Sequence, residues 1–191
     1  QDAGSGSSSI QAYRDGLSVD ALRVRLYVML SSRDPELLKT WYKKGPEIGT
    51  KNDYLTIRSI KLNADGALGS RGAWLLDDYT DRPGHFGMAT QSMEYVYEVS
   101  RDGLANGFQV NTHAIGDRTN REVLDQYEKV FNAKPGLAQD HRWRIEHAQH
   151  IDPLDIPRFG AMGVLPSIQG IHMSSDRPWA IERLGKRRIV E

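Results

Sequence analysis

Two strand-like stretches, each ending in histidine, constrain this chain most. Arg144-Ile145-Glu146-His147-Ala148-Gln149-His150 sets an apolar residue between charged ones, as a short half-buried strand does. Asp152-Pro153 follows it as a helix-start signal. Phe108-Gln109-Val110-Asn111-Thr112-His113 repeats the pattern one unit earlier, and Ala114-Ile115-Gly116-Asp117 turns it into the next helix. In parallel α/β folds, the residues at the C-terminal ends of strands carry the chemistry. If the two strands are neighbours they run ~4.8 Å apart. Two imidazoles at that separation on one face can share a metal ion.

The remaining chain keeps the same rhythm. Residues 2–6 are rich in small side chains and predict a loop, and a short helix is expected over about residues 8–15. Residues 23–30 alternate and then become apolar, as a buried parallel strand would. Asp34-Pro35-Glu36 opens a helix whose apolar positions include Leu37, Leu38 and Trp41, and Gly45-Pro46 closes it. Residues 54–62 read as a strand with Lys61 near its end. Helices are predicted over 90–106, capped by Thr90, and over 118–132 and 153–162. Met93, Val96, Tyr97, Ser100 and Leu104 share one helical face, and Val123, Leu124, Tyr127, Val130 and Phe131 share another. The last strand, residues 164–169, contains a proline and is expected to be bent or partly unpaired. A loop with Gly170, His172, Asp176 and Pro178 leads to a short helix over 179–184. Residues 63–87 form a long irregular segment with five glycines, and Trp74, Leu75 and Leu76 predict that it is ordered and packed.

Strand and helix thus alternate, the pattern of a parallel sheet with crossover helices. Five strands in 191 residues fall short of the eight strands and roughly 250 residues of a complete (β/α)₈ barrel. The chain reads as the middle of such a barrel or as a complete open sheet.

Composition removes several alternatives. Lysine plus arginine equals aspartate plus glutamate at 25 each, so no basic footprint argues for nucleic acid. No apolar run is long enough for a membrane span, and no signal peptide is visible, so a cytoplasmic location is expected. Cysteine is absent, so a metal site must be built from histidine, carboxylate or a less usual ligand. The chain starts at Gln1 and ends in Arg187-Arg188-Ile189-Val190-Glu191, and both ends are expected to be cut.

Three longer motifs follow one another: Lys61-Leu62-Asn63-Ala64-Asp65-Gly66-Ala67-Leu68-Gly69-Ser70-Arg71-Gly72, Asn111-Thr112-His113-Ala114-Ile115-Gly116-Asp117, and Arg144-Ile145-Glu146-His147-Ala148-Gln149-His150. Ser167-Ile168-Gln169-Gly170 and Ser175-Asp176-Arg177-Pro178-Trp179 add to them. Together they resemble the metal-dependent amidohydrolase superfamily, and within it the family 3 group related to N-substituted formamide deformylase. That resemblance implies a (β/α)₈ barrel with a small β-sandwich, of which this chain supplies approximately strands three to seven. It implies a site holding one or two divalent ions, with zinc the expected metal. The ligands would be a His-x-His pair from strand one, a frequently carboxylated lysine from strand four, histidines from strands five and six, and an aspartate from strand eight. Lys61, His113 and His147 match the strand-four, strand-five and strand-six positions. The implied reaction is hydrolysis of a C–N bond in a small-molecule amide or N-formyl substrate by metal-activated water.

The chain departs from that pattern twice. It contains no His-x-His pair, and no strand-eight aspartate can be placed. Only seven residues separate Asp176 from Ile168, too few for the crossover of about a dozen that a parallel strand requires, so Asp176 reads as a loop residue. The expectation is one partial barrel domain over residues 1–191, not a competent catalyst by itself. Its open sheet edges favour association, including a homo-oligomer.

Other candidates carry plainer alternatives. Lys61 can ligate a cation only as a carbamate; otherwise it makes an ion pair. Arg71 could bind a substrate carboxylate, against an ordinary surface ion pair. His150 and His172 could touch substrate, against a solvated loop role. Asp117 reads as a helix cap, and His85 and His141 as loop residues. Glu146 should point to the opposite strand face from His147 and so pair outside the barrel. Two rival functions remain: a non-catalytic binding or regulatory protein on a decayed barrel, and a lyase using Lys61 as a Schiff-base nucleophile. The paired histidines do not serve the latter.

Overall fold

The computed structural model describes residues 1–19 and 21–190, without the side chain of residue 190; the closing residues of the expected cut end therefore lie partly outside it. The elements run β1 (Asp2–Ser5), α1 (Ser7–Ser18), β2 (Leu26–Ser31), α2 (Pro35–Lys44), β3 (Glu47–Gly49), α3 (Thr50–Asp53), β4 (Leu55–Asn63), α4 (Met93–Ala105), β5 (Gln109–Ala114), α5 (Asp117–Ala133), β6 (Arg144–His147), α6 (Ile156–Met162), β7 (Leu165–Ser167), α7 (Ile171–Ser175) and α8 (Arg177–Val190).

Six strands form a parallel sheet in the order β1-β2-β4-β5-β6-β7, and β3 pairs antiparallel with β4. Each new parallel strand is added on the same side of the previous one. A doubly wound sheet reverses direction at a switch point, whereas a barrel does not. The chain is therefore an α/β arc of the kind that makes up part of a (β/α)₈ barrel.

Local chemistry explains most elements. Asp34 caps α2 by accepting from the Leu37 N–H at 3.0 Å, and Pro35 takes the first helical position. Leu37, Leu38 and Trp41 are buried as their spacing requires. Ser92, two residues beyond the expected Thr90, caps α4 through the Tyr95 N–H. All five expected apolar positions of α5 are buried. They pack with Trp143 just before β6: the Tyr127 and Phe131 ring centroids lie 4.8 and 4.9 Å from the Trp143 ring. The Trp143 indole N–H donates to Phe108 O at 3.3 Å, tying the start of β6 to the start of β5.

Three segments differ from the sequence expectation. The expected N-terminal loop is a strand, β1, paired with β2 from Asp2↔Val28 onward. Its composition disfavours strand, and the pairing is supplied by the neighbouring sheet edge. The loop around His172 contains the short helix α7, and the final helix is longer than expected, with a break at Gly185 where φ is 74°. The proline strand β7 is short but paired, with Ile145↔Pro166 in its ladder.

The long segment after β4 is ordered, as Trp74, Leu75 and Leu76 suggested. Leu68, Ala73, Leu75 and Tyr79 form a second buried cluster with Ile115, Ala180 and Leu184, separate from the main core under the helices. No described helix is long and apolar enough to cross a membrane.

Candidate metal centre

The ladders of β4, β5 and β6 decide which side chains share a face. Lys61 pairs with Asn111, which pairs with Arg144; Asn63 pairs with His113, which pairs with Glu146. Partners in parallel strands project to the same side, and so do residues two apart along a strand. Ser59, Lys61, Gln109, Asn111, His113, Arg144 and Glu146 therefore line one polar face. The alternate rows, with Ile60 and Val110 and then Leu62, Thr112 and Ile145, face the helices.

His147 stands on the wrong row by register, opposite Ala114. It reaches the polar side because the backbone turns left-handed where the strand ends: φ is 75° at His147 and 42° at Ala148. The His113 and His147 ring centroids end 4.5 Å apart at an interplanar angle of 70°. Two sequence expectations are corrected here. The strands are neighbours, but the two histidines do not share a face by alternation. Glu146, expected to pair outside the barrel, lies on the row of His113 and two residues beyond Arg144, to which it is bonded at 2.8 Å.

Lys61 is buried at 7 % exposure, and its Nζ donates to Leu62 O at 2.9 Å. Burial pushes its pKa down to about 8, with Arg33 helping, while Glu146 and Asp65 act in the opposite direction. The neutral amine is thus within reach near physiological pH. Burial also lowers the pKa of His147, assisted by the nearby His113, Lys61 and His172, and opposed by a hydrogen bond between His147 Nδ1 and Gln169 Oε1. The His172 ring stacks 5.9 Å from His147. Beyond it lies a cavity of about 450 Å³ lined in part by Leu68, Gln149, His150, His172, Met173 and Asp176.

Asp65, given no role in the sequence reading, is a hub. Its carboxylate is fully buried. It accepts from the backbone N–H groups of Trp74, Ile115 and Gly116 at 3.1, 3.0 and 2.9 Å and from Thr119 Oγ1 at 2.7 Å. Its only sequence signal is an aspartate inside a glycine-bearing loop.

The other candidates fall elsewhere. The Arg71 guanidinium is bidentate on Asp81, at 3.1 and 2.8 Å, which matches the plainer reading of a surface ion pair. Asp117 is the first residue of α5, not its cap, which is Gly116. Its Oδ1 accepts from the Leu76 N–H and from its neighbour Arg118 N–H, both at 2.9 Å. Asp176 joins α7 to α8 and accepts from Gln149 at 2.6 Å, so it is not a strand residue. His85 bonds Arg71 O. His141 is in a loop, as expected, but it is buried and stacks 4.1 Å from Phe131.

As a test of fit to a metal, two imidazoles at 4.5 Å beside a buried lysine of lowered basicity are chemically suitable partial ligands. Among the described residues, no three of His, Asp and Glu are grouped to hold an ion. Lys61 lies near enough to this pair for its charge to add to burial in lowering the pKa of His147.

A sequential parallel arc with histidines at adjacent strand ends defines a class, the barrel proteins that do their chemistry at the C-terminal rim. The particular family follows from comparison: the model of the Amidohydrolase family matches residues 3–190, and the chain belongs to that family. The chain is 31% identical over 182 residues to Protein LONG AFTER FAR-RED 3 of Arabidopsis thaliana, which covers 95% of this chain and 30% of that protein. It is 36% identical over 136 residues to the amidohydrolase-family protein YtcJ of Bacillus subtilis (strain 168), covering 71% of this chain and 25% of that one. The crystal structure of an uncharacterized metal-dependent hydrolase from Pyrococcus furiosus superposes with a TM-score of 0.83 at 29% identity, over 97% of this chain and 37% of that one. A counterpart from Pyrococcus horikoshii OT3 gives 0.82 at 26% identity, over 98% and 36%. The chain thus spans between a quarter and 37% of the length of these relatives.

Proposed function

We propose that this chain forms the central part of a metal-dependent hydrolase acting on a C–N bond of a small amide or N-formyl compound. The observation that carries the reading is the His113–His147 pair, brought together at the ends of adjacent parallel strands despite their mismatched register. Zinc, as one ion or two, is the metal we expect there. A bound divalent ion lowers the pKa of water toward neutrality and polarises a substrate carbonyl.

The chain's own residues have distinct tasks in this reading. His113 and His147 hold the ion, and Gln169 fixes the His147 ring. Lys61 joins them as a carbamate: its neutral amine adds to carbon dioxide, forming a new N–C bond and releasing one proton. The lowered basicity of Lys61 supplies that neutral amine. The cavity beyond His172 receives the substrate. The structural relatives being metal-dependent hydrolases supports the reaction type, and the amide class rests on family membership.

The test is metal content, by mass spectrometry of the full-length protein, alongside turnover of a panel of amides and N-formyl amines. His113→Ala with His147→Ala should lose bound metal and turnover together. Intact Lys61 should carry the mass of one carbon dioxide that is shed on acidification. Undiminished metal in the double variant would refute the assignment.

A further inference from the structure

We infer that the sheet carries a second binding site at the end opposite the His113–His147 pair, where Arg58 holds the carboxylate of a small apolar acid. β4 has a fault in its ladder there. Val28 of β2 pairs with Ile57 and Met29 pairs with Ser59, so Arg58 is an extra residue with no partner in β2. The alternation of faces breaks with it. Ile57 and Ile60, three residues apart, both belong to the helix-side core, while Ser59 pairs with Gln109 on the polar row. A bulge of this kind re-aims a side chain that the pleat would otherwise direct.

Arg58 lines a cavity of about 330 Å³ between β4, the turn from α4 into β5 and the connection from α5 to β6. Leu104 and Leu137 give the cavity an apolar wall. Leu137 is 53% exposed, so that wall is open to a ligand. Trp143 and Phe108, which also line it, stand just before β6 and β5, at the N-terminal ends of the strands. His113 and His147 lie at the other ends of the same two strands.

The charge in this cavity is unmatched. Arg58 is the one lysine or arginine in the lining. No described residue forms a hydrogen bond or ion pair with its guanidinium, and its Nε is shielded from solvent without a partner. Buried donors are rarely left so, and a charged one is the costliest to leave. The polar neighbours are already engaged. Arg142 chiefly, with Arg58 adding to it, lowers the pKa of Asp140, yet both Asp140 oxygens are held by Arg142, at 2.8 and 3.2 Å. His141 spends its two ring nitrogens on Trp143 N–H and Met162 O. A guanidinium only donates, and its planar fork suits the two oxygens of a carboxylate. Leu104 and Leu137 then favour an acid with an apolar body over a bare inorganic anion.

The experiment uses the full-length protein with ¹³C-methyl leucine and phenylacetate as the probe. Phenylacetate should shift the Leu137 methyl signals, assigned by their loss in Leu137→Met. Benzyl alcohol keeps the ring without the charge, and inorganic phosphate keeps charge without the ring; each should bind about tenfold more weakly or worse. Arg58→Gln should weaken phenylacetate by about tenfold or more, the worth of a hydrogen bond to a charged group, at an unchanged melting temperature. Arg58→Lys should recover only part of that loss, because an ammonium lacks the fork. Should Arg58→Gln fail to fold, Leu137→Asp decides: it changes an exposed position and should weaken binding by setting a second carboxylate against the ligand. Leu137 signals unmoved by phenylacetate up to its solubility limit overturn the inference. So does equal binding to wild type and to a folded Arg58→Gln or Leu137→Asp. Benzyl alcohol or phosphate binding as tightly as phenylacetate overturns the ligand class. None of these outcomes alters metal content or turnover, so the hydrolase reading stands or falls separately.

Discussion

Replacing Gly116 by alanine should destabilise the protein through a single carbonyl. Gly116 is the N-cap of α5, with φ of −74°, so its backbone conformation tolerates a side chain. The space does not. A Cβ there would stand 2.0 Å from Trp74 O and 2.6 Å from Trp74 C. Ordinary contact begins near 3.4 Å, so the two must separate by about 1.4 Å. Trp74 cannot retreat freely, because its N–H is bonded to Asp65 and its carbonyl accepts from the Thr119 N–H at 3.3 Å. Losing a hydrogen bond to a carboxylate costs about 1.5–3 kcal/mol and a neutral one about 1 kcal/mol, so the loss should be roughly 2–4 kcal/mol. That is a large part of the 5–15 kcal/mol typical of a folded domain. Urea unfolding reads it as a lower midpoint at constant slope. Gly136→Ala is the control, since nothing lies within 4 Å of its added Cβ. A Gly116→Ala loss under about 0.5 kcal/mol, the range of an ordinary surface change, would refute the claim that this loop is held rigidly against the turn.

Other outcomes follow from the same structure. His141 Nδ1 accepts from the Trp143 N–H and its Nε2 donates to Met162 O, both at 2.9 Å, a pattern that needs the neutral ring. Burial lowers its pKa from 6.5, so the unfolded chain binds the proton more readily. Its contribution to stability is therefore present above pH 6.5 and lost as pH falls below it; thermal melts across that range should show a drop that shrinks in His141→Gln. Trp143→Ala, which empties a fully buried site among Tyr127 and Phe131, should cost about 3–5 kcal/mol in denaturant unfolding. Arg71→Ala should leave KM for the best substrate of the full-length protein unchanged, because Asp81 already occupies the guanidinium; a marked rise in KM would restore Arg71 as a substrate contact.

The strands that carry His113 and His147 were legible because alternation, turn residues and helix-start signals all agreed. So were the buried faces of α2 and α5, where helical spacing dictates which side chains meet the sheet. β1 was not legible: Asp2, Ala3, Gly4 and Ser5 have little strand preference, and the edge of β2 imposes the pairing. The role of Asp65 was hidden for a different reason. Its donors Ile115, Gly116 and Thr119 lie 50, 51 and 54 residues away, and no local pattern encodes such a meeting. Face assignment failed at Glu146 because alternation was counted from His147, the one residue whose backbone leaves the pleat.

That departure separates two properties that a strand residue normally binds together. His147 is on the last rung of its ladder, opposite Ala114, so nothing downstream depends on its register. Changes at Gln149, which is only partly buried, can re-aim the imidazole while the ladder stays as it is, whereas Ala148 packs in the core and the His150 N–H is bonded to Ile115 O. A histidine inside the ladder could be moved only by slipping the whole strand, which would turn every side chain to the other face. Selection or design can therefore alter the geometry of this centre in small steps at the strand end, without trading away the stability of the barrel wall that carries it.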